Sequence, residues 1–118
     1  MDAAKEHRFC LGRRFSLGRN KHFQYVYRRG KSFPARLLVL VYLKARDVKV
    51  GFSVSSKVGN SVVRNRVRRL MREDFRLQRP MLPGGKYIFV ARTIAARASH
   101  QELTREMAYL LRKAGLTQ

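Results

Sequence analysis

The spacing of apolar positions changes period several times along the chain, and each change marks an element. From Asn20, the residues Phe23, Val26 and Tyr27 recur at i, i+3 and i+4 with Gly30 beyond them, which predicts a helix ending near Arg29. The run Arg36 to Lys44 is aliphatic and β-branched, and Val48 to Val54 resumes after the short link Ala45-Arg46-Asp47. That spacing predicts two strands joined as an antiparallel hairpin. From Ser61, the residues Val63, Val67, Leu70, Met71 and Leu77 return at helical spacing until Pro80. After Pro83-Gly84-Gly85, the segment Lys86 to Ala91 reads as a third strand bounded by turns. Ser99 and Glu102 have the spacing of a capping box, and Leu103, Met107, Leu110 and Leu111 give the last helix one apolar face before Gly115. The predicted order is α-β-β-α-β-α, an α+β sandwich around a central mixed sheet.

Charge then narrows the function. The 118 residues carry 27 Lys+Arg against 7 Asp+Glu, a formal charge of +20. Such an excess repels itself in a compact chain, and its usual partner is a polyanion, nucleic acid before anionic membrane. Residues 1–19 hold Lys5, Arg8, Arg13, Arg14 and Arg19 with little periodicity and read as a basic N-terminal arm; residues 20–115 read as a single domain. The longest apolar run, Leu37 to Leu43, is seven residues, far short of a membrane span. With no signal-type segment at the start, the expectation is a cytoplasmic protein without a membrane partner. Cys10 is the only cysteine, which excludes an internal disulfide and a thiolate-rich zinc site. His7, His22 and His100 are dispersed, and the acids lack metal-ligand spacing. No catalytic residue, protein-held metal or organic cofactor is expected.

The charge is concentrated on the second helix. At 100° per residue, Arg64, Arg68, Arg69, Arg72, Arg76 and Arg79, with Asn65 among them, fall broadly opposite the apolar face, and Arg66 lies at the boundary. A charged helix face is often only a solvated one, but this face is nearly uniform in sign, and Arg64, Arg68, Arg72 and Arg76 repel at i, i+4. Only Glu73 and Asp74 oppose them, and Asp74 points to the apolar side, where a base from elsewhere is its expected partner. Arginine outnumbers lysine 19 to 8, and its planar fork suits phosphates and bases of a folded RNA. The preceding loop, Ser55 to Asn60, places Lys57 and hydroxyls at the helix N-terminus. It is either a phosphate seat or a plain turn around Gly59. Charge and size fit any basic RNA-binding module, a ribosomal protein included.

The segment Gly51-Phe-Ser-Val-Ser-Ser-Lys-Val-Gly-Asn-Ser-Val-Val-Arg-Asn-Arg-Val-Arg-Arg-Leu-Met-Arg-Glu73 closely resembles the signature region of the bacterial ribonuclease P protein subunit, with its Arg-Asn-Arg motif at Arg64, Asn65 and Arg66. Phe23-Gln-Tyr-Val-Tyr27-Arg-Arg-Gly30 is similar to that family's first helix, and Tyr87 to Arg92 to its last strand. The resemblance spans residues 14 to 112.

The resemblance implies a noncatalytic protein partner of a ribozyme, whose RNA subunit removes the 5′ leader of precursor tRNA with magnesium held mainly by RNA and substrate. It implies that Lys57, Arg64, Asn65, Arg66, Arg68, Arg69 and Arg72 contact the catalytic RNA. It also implies a cleft between the first helix and the sheet in which Phe23, Tyr27 and Arg36 meet the single-stranded leader. From the residues alone, Phe23 and Tyr27 serve equally as core or as stacking platforms. Where members often show an aromatic facing this cleft from a strand, this chain has Val41, with Tyr42 beside it on the opposite face. The partners implied are ribonuclease P RNA and precursor tRNA, with no obligate protein partner. The resemblance further implies a left-handed crossover from the second strand through the second helix to the third, against the general rule of handedness.

Overall fold

The structure, a computed structural model, describes residues 20–117. The basic arm read over residues 1–19, and Cys10 with it, lies outside them. In chain order the elements are α1 (Asn20–Arg29), β1 (Lys31–Pro34), β2 (Leu38–Lys44), β3 (Val48–Ser53), α2 (Ser61–Gln78), a 3-10 turn (Arg79–Met81), β4 (Gly85–Ala91), a second 3-10 turn (Thr93–Arg97) and α3 (His100–Lys113).

The four strands form one mixed sheet in the order β1-β2-β4-β3. β1 pairs antiparallel with β2, β2 antiparallel with β4, and β3 parallel with β4. The expected hairpin between the strands now numbered β2 and β3 is therefore absent, because β4 lies between them. The Ala45–Asp47 link passes over the start of β4, where Gly84 makes room for it and Gly85 makes room for the Tyr42 ring. A Cβ on Gly84 would lie 2.2 Å from the Arg46 carbonyl oxygen, and the Gly85 N–H donates to Asp47 O at 3.2 Å. β4 lies inside the sheet beside β2 and is the most thoroughly buried strand: Tyr87, Ile88 and Phe89 are all fully buried. The crossover from β3 through α2 to β4 is present.

Sequence periodicity also missed β1. Its four residues, Lys-Ser-Phe-Pro, form a short edge strand in which only Phe33 packs inward, and its proline suits an edge. The strand expected from Arg36 starts at Leu38, since Arg36 and Leu37 turn the chain out of β1.

Strand alternation divides the core in two. Leu38, Leu40, Val50, Tyr87, Phe89 and Ala91 point to one face, where α2 and α3 cover them with Val67, Met71, Phe75, Leu103, Met107 and Leu110. Val41 and Ile88 point to the other face, under Val26 of α1, flanked by Phe23, Leu43 and Val90. On α2 the buried set is Val67, Met71, Asp74 and Phe75, while Leu77, expected on the apolar face, is 59% exposed. Leu77 lies about 80° around the helix from Val67 and about 120° from Met71, and Phe75 fills the space instead, edge-on to Tyr87 and Phe89.

Candidate nucleic-acid interface

Asn60 starts α2 by accepting the Val63 N–H on its side-chain oxygen at 3.1 Å, an ordinary N-cap. The cap favours the plain turn for this loop. One N–H of the helix start is already taken, and a Cβ on Gly59 would lie 2.9 Å from the Val63 side chain. Gly59 thus serves close packing, while Lys57 stays exposed beside the cap.

The arginines of α2 divide by what they touch. Arg64 donates from Nε to Gly59 O at 3.1 Å, and Arg68 from Nη1 to Asn65 Oδ1 at 3.2 Å. Arg66, at the boundary of the faces, donates from Nη2 to Ala98 O at 3.2 Å and so ties α2 to the segment before α3. Arg76 pairs with Glu73, whose carboxyl is held below its usual range chiefly by that hydrogen bond. Arg69 and Arg72 are exposed and point to solvent with Asn65. All six residues expected on this face lie on one helix with Lys57 at its start. The sequence cannot show that two of them double as structural ties.

Asp74 finds the base that its position demanded. It is 3% exposed, and its Oδ1 is 2.9 Å from His100 Nε2 and accepts the Thr104 hydroxyl at 2.8 Å. Its Oδ2 is buried without a hydrogen-bond partner among the described residues. The cluster joins α2 to the first turn of α3. That turn is fixed by the capping box read from the sequence: Glu102 N–H to Ser99 Oγ at 3.1 Å and Ser99 N–H to Glu102 Oε1 at 2.9 Å.

On the other face of the sheet, Phe23 rests over Gly51, where a Cβ would lie 2.2 Å from its Cζ. Tyr27 stands beside it, ring centroids 6.4 Å apart, and is 42% exposed. Phe23 is thus half core and half surface, and Tyr27 is mainly surface. Val41 lies beneath α1 with Val26 and Ile88, whereas Tyr42 faces the opposite way and donates to Gly84 O at 2.9 Å. Burial raises the Tyr42 phenol, and raises that of Tyr87, which donates to Pro83 O at 2.7 Å, further still. Arg36 does not join Phe23 and Tyr27. It lies against α3, 3.4 Å from Glu102, at the rim of a groove lined also by Arg105, Glu106 and Tyr109. Among the described residues, no group of three or more His, Cys, Asp or Glu could hold a metal ion, and no helix is long and apolar enough to cross a membrane.

An arginine helix on one face of a mixed sheet and an aromatic pair on the other agree with the resemblance, and comparison with known proteins decides it. A sequence model of the family Ribonuclease P matches residues 11–115. The chain belongs to the ribonuclease P protein family. It is 43% identical over 107 residues to the ribonuclease P protein component of Clostridium kluyveri, covering 86% of this chain and 96% of that one. Against the component of Clostridium beijerinckii the identity is 45% over 112 residues, covering 86% and 90%. The solved RNase P protein of Staphylococcus aureus has a TM-score of 0.83 at 26% identity, covering 88% of this chain and 98% of that chain. As a ribonuclease P protein component, the chain associates with ribonuclease P RNA and is part of the holoenzyme that processes tRNA 5′ ends.

Two features of this ribonuclease P protein escape sequence reasoning. Gly51 reads as the opening of the signature, and nothing in the sequence shows that it seats Phe23. Tyr25 sits off the apolar stripe of α1 and earns no role from periodicity, yet Lys86 Nζ and Arg29 Cζ lie over its ring. The i, i+4 spacing of Tyr25 and Arg29 is the only sequence signal for that cluster.

Proposed function

We propose that this chain bridges the two RNAs of a cytoplasmic ribonuclease P. The arginine face of α2, with Lys57, Arg64, Asn65, Arg66, Arg68, Arg69 and Arg72, docks on the catalytic RNA, and the flank of α1 carrying Phe23 and Tyr27 holds the single-stranded 5′ leader of precursor tRNA. The observation that carries this reading is the placement of α1 and α2 on opposite faces of one sheet, which lets both surfaces be occupied at once. On the α2 side, guanidinium forks meet phosphates bidentately. On the α1 side, exposed aromatic surface accepts a stacked base, with Arg28 nearby for the backbone. Arg36 lies against α3, so its share in leader binding requires the strand to run past the sheet edge. The chemistry belongs to magnesium held by RNA and substrate phosphates, and the protein's part is to raise substrate affinity and orient the strand.

The test is single-turnover cleavage of a precursor tRNA by ribonuclease P RNA at low magnesium, with and without the protein, alongside affinities for precursor and mature tRNA. Restored cleavage with preference for the precursor is the expected result. Cleavage restored without that preference removes the leader role and leaves the RNA-docking role.

A further inference from the structure

α1 presents aromatic residues on two flanks, and leader binding as proposed uses only one. Tyr25 lies about 200° around the helix from Phe23. It is 41% exposed, with Lys86 Nζ 5.2 Å and Arg29 Cζ 5.7 Å from its ring centroid. Lys86, the second residue of β4, lies on the α1 side of the sheet, and its parallel register partner on β3 is Lys49. Two lysines therefore stand side by side next to an exposed tyrosine. The ring is exposed and contributes little to the core, so its open surface and the cations beside it are accessible to a ligand. An aromatic plate with converging cations is what an unpaired nucleotide requires: a π-face for the base and positive charge for its flanking phosphates.

We propose that Tyr25, Arg29 and Lys86 form a second single-stranded RNA subsite, on the flank of α1 opposite Phe23 and Tyr27. One unpaired base stacks on Tyr25, and Lys86 and Arg29 meet the adjoining phosphates. In the free protein the two cations lie over the ring; on binding, the exposed Arg29 guanidinium gives up its place to the base and follows the phosphate. The subsite extends the RNA-binding reading above and rests on it. Its nucleotide comes from one of two sources of the same chemistry: the distal part of a long leader passing over α1, or an unpaired residue of the RNA subunit.

Holoenzymes reconstituted with Tyr25→Ala, Tyr25→Phe, Lys86→Gln and Phe23→Ala proteins separate these outcomes. The readouts are affinities for mature tRNA, for precursors with short and long leaders, and of each protein for ribonuclease P RNA. Tyr25→Ala is expected to weaken RNA binding about tenfold, the share of one stacked base, with Tyr25→Phe close to the unsubstituted protein. Lys86→Gln is expected to lower the salt slope by about one counterion. A Tyr25→Ala loss confined to long leaders assigns the nucleotide to the leader, and a loss in affinity for the RNA subunit assigns it to that RNA; both support the subsite. Unchanged affinities throughout, or a Tyr25→Phe protein as weak as Tyr25→Ala, overturn it. Loss of precursor preference in Phe23→Ala, with every affinity of Tyr25→Ala unchanged, would remove this proposal and keep the leader cleft, whereas loss in Tyr25→Ala alone would do the reverse.

Discussion

The tip of the Phe23 ring occupies the space that a side chain on Gly51 would need, with only 2.2 Å between Cζ and the position of such a Cβ. A signature glycine in β3 thereby sets the height of an aromatic residue on α1. Gly51→Ala forces the ring outward, since Gly51 is pinned in the sheet opposite Ile88. The expected outcome is a loss of about 1–3 kcal/mol in stability from overpacking and about a tenfold fall in preference for precursor over mature tRNA. Unfolding in urea and holoenzyme affinities measure the two, and an unchanged preference would mean that Phe23 meets no base.

The exposed arginines of α2 should separate from the structural ones. Arg69→Ala and Arg72→Ala are expected to leave the melting temperature unchanged and to lower the salt slope of RNA binding by about 0.9 for each phosphate that the side chain neutralises. Arg66→Ala should weaken RNA binding and also cost about 1 kcal/mol of stability, because it removes the bond to Ala98 O. Salt titrations paired with thermal melts check both.

Asp74→Ala removes the acceptor shared by His100 and Thr104 where α2 packs against α3. A loss of about 1–3 kcal/mol is expected, with a smaller one for His100→Ala, whose side chain is 48% exposed. Equal stability of Asp74→Ala and the unsubstituted protein would show that the buried carboxylate contributes nothing net.

The cap of α3 gives a pH dependence. The Ser99 backbone N–H, then the Ser99 hydroxyl and Arg36, hold the Glu102 carboxyl below its usual value. The unfolded chain therefore binds this proton at higher pH than the folded one. Stability from this group is complete above the ordinary carboxylate pKa and is lost as pH falls through the lowered folded value. Glu102→Ala should melt below the unsubstituted protein at neutral pH and converge with it in acid. Ser99→Ala should cost about 1 kcal/mol at neutral pH.

A charge of +20 on 118 residues means that anions bound by the native state stabilise it by mass action. Replacing chloride by sulfate or phosphate at equal ionic strength is expected to raise the melting temperature. Identical melts would show that the basic surface does not bind small anions.

Amino-acid order by itself determined the elements whose signals are local. The i, i+3, i+4 stripe of α1, the Asn60 and Ser99 caps, the glycine-bounded strand at Lys86 and the arginine face of α2 all arise from interactions within a few residues. Tertiary structure alone decided what depends on distant partners. β4 entered between β2 and β3 where Gly84 passes beneath the Ala45–Asp47 link and Gly85 beneath the Tyr42 ring, and a short link in sequence carries no record of a strand some forty residues away. Asp74 met His100 and Thr104 only once α2 and α3 lay side by side, and Arg36 was drawn to Glu102 at the sheet edge. Phe23 found Gly51, and Tyr25 found Lys86, for the same reason. Local hydrogen bonding and periodicity act along the chain, whereas packing and electrostatics act through space, and only folding brings those partners within range.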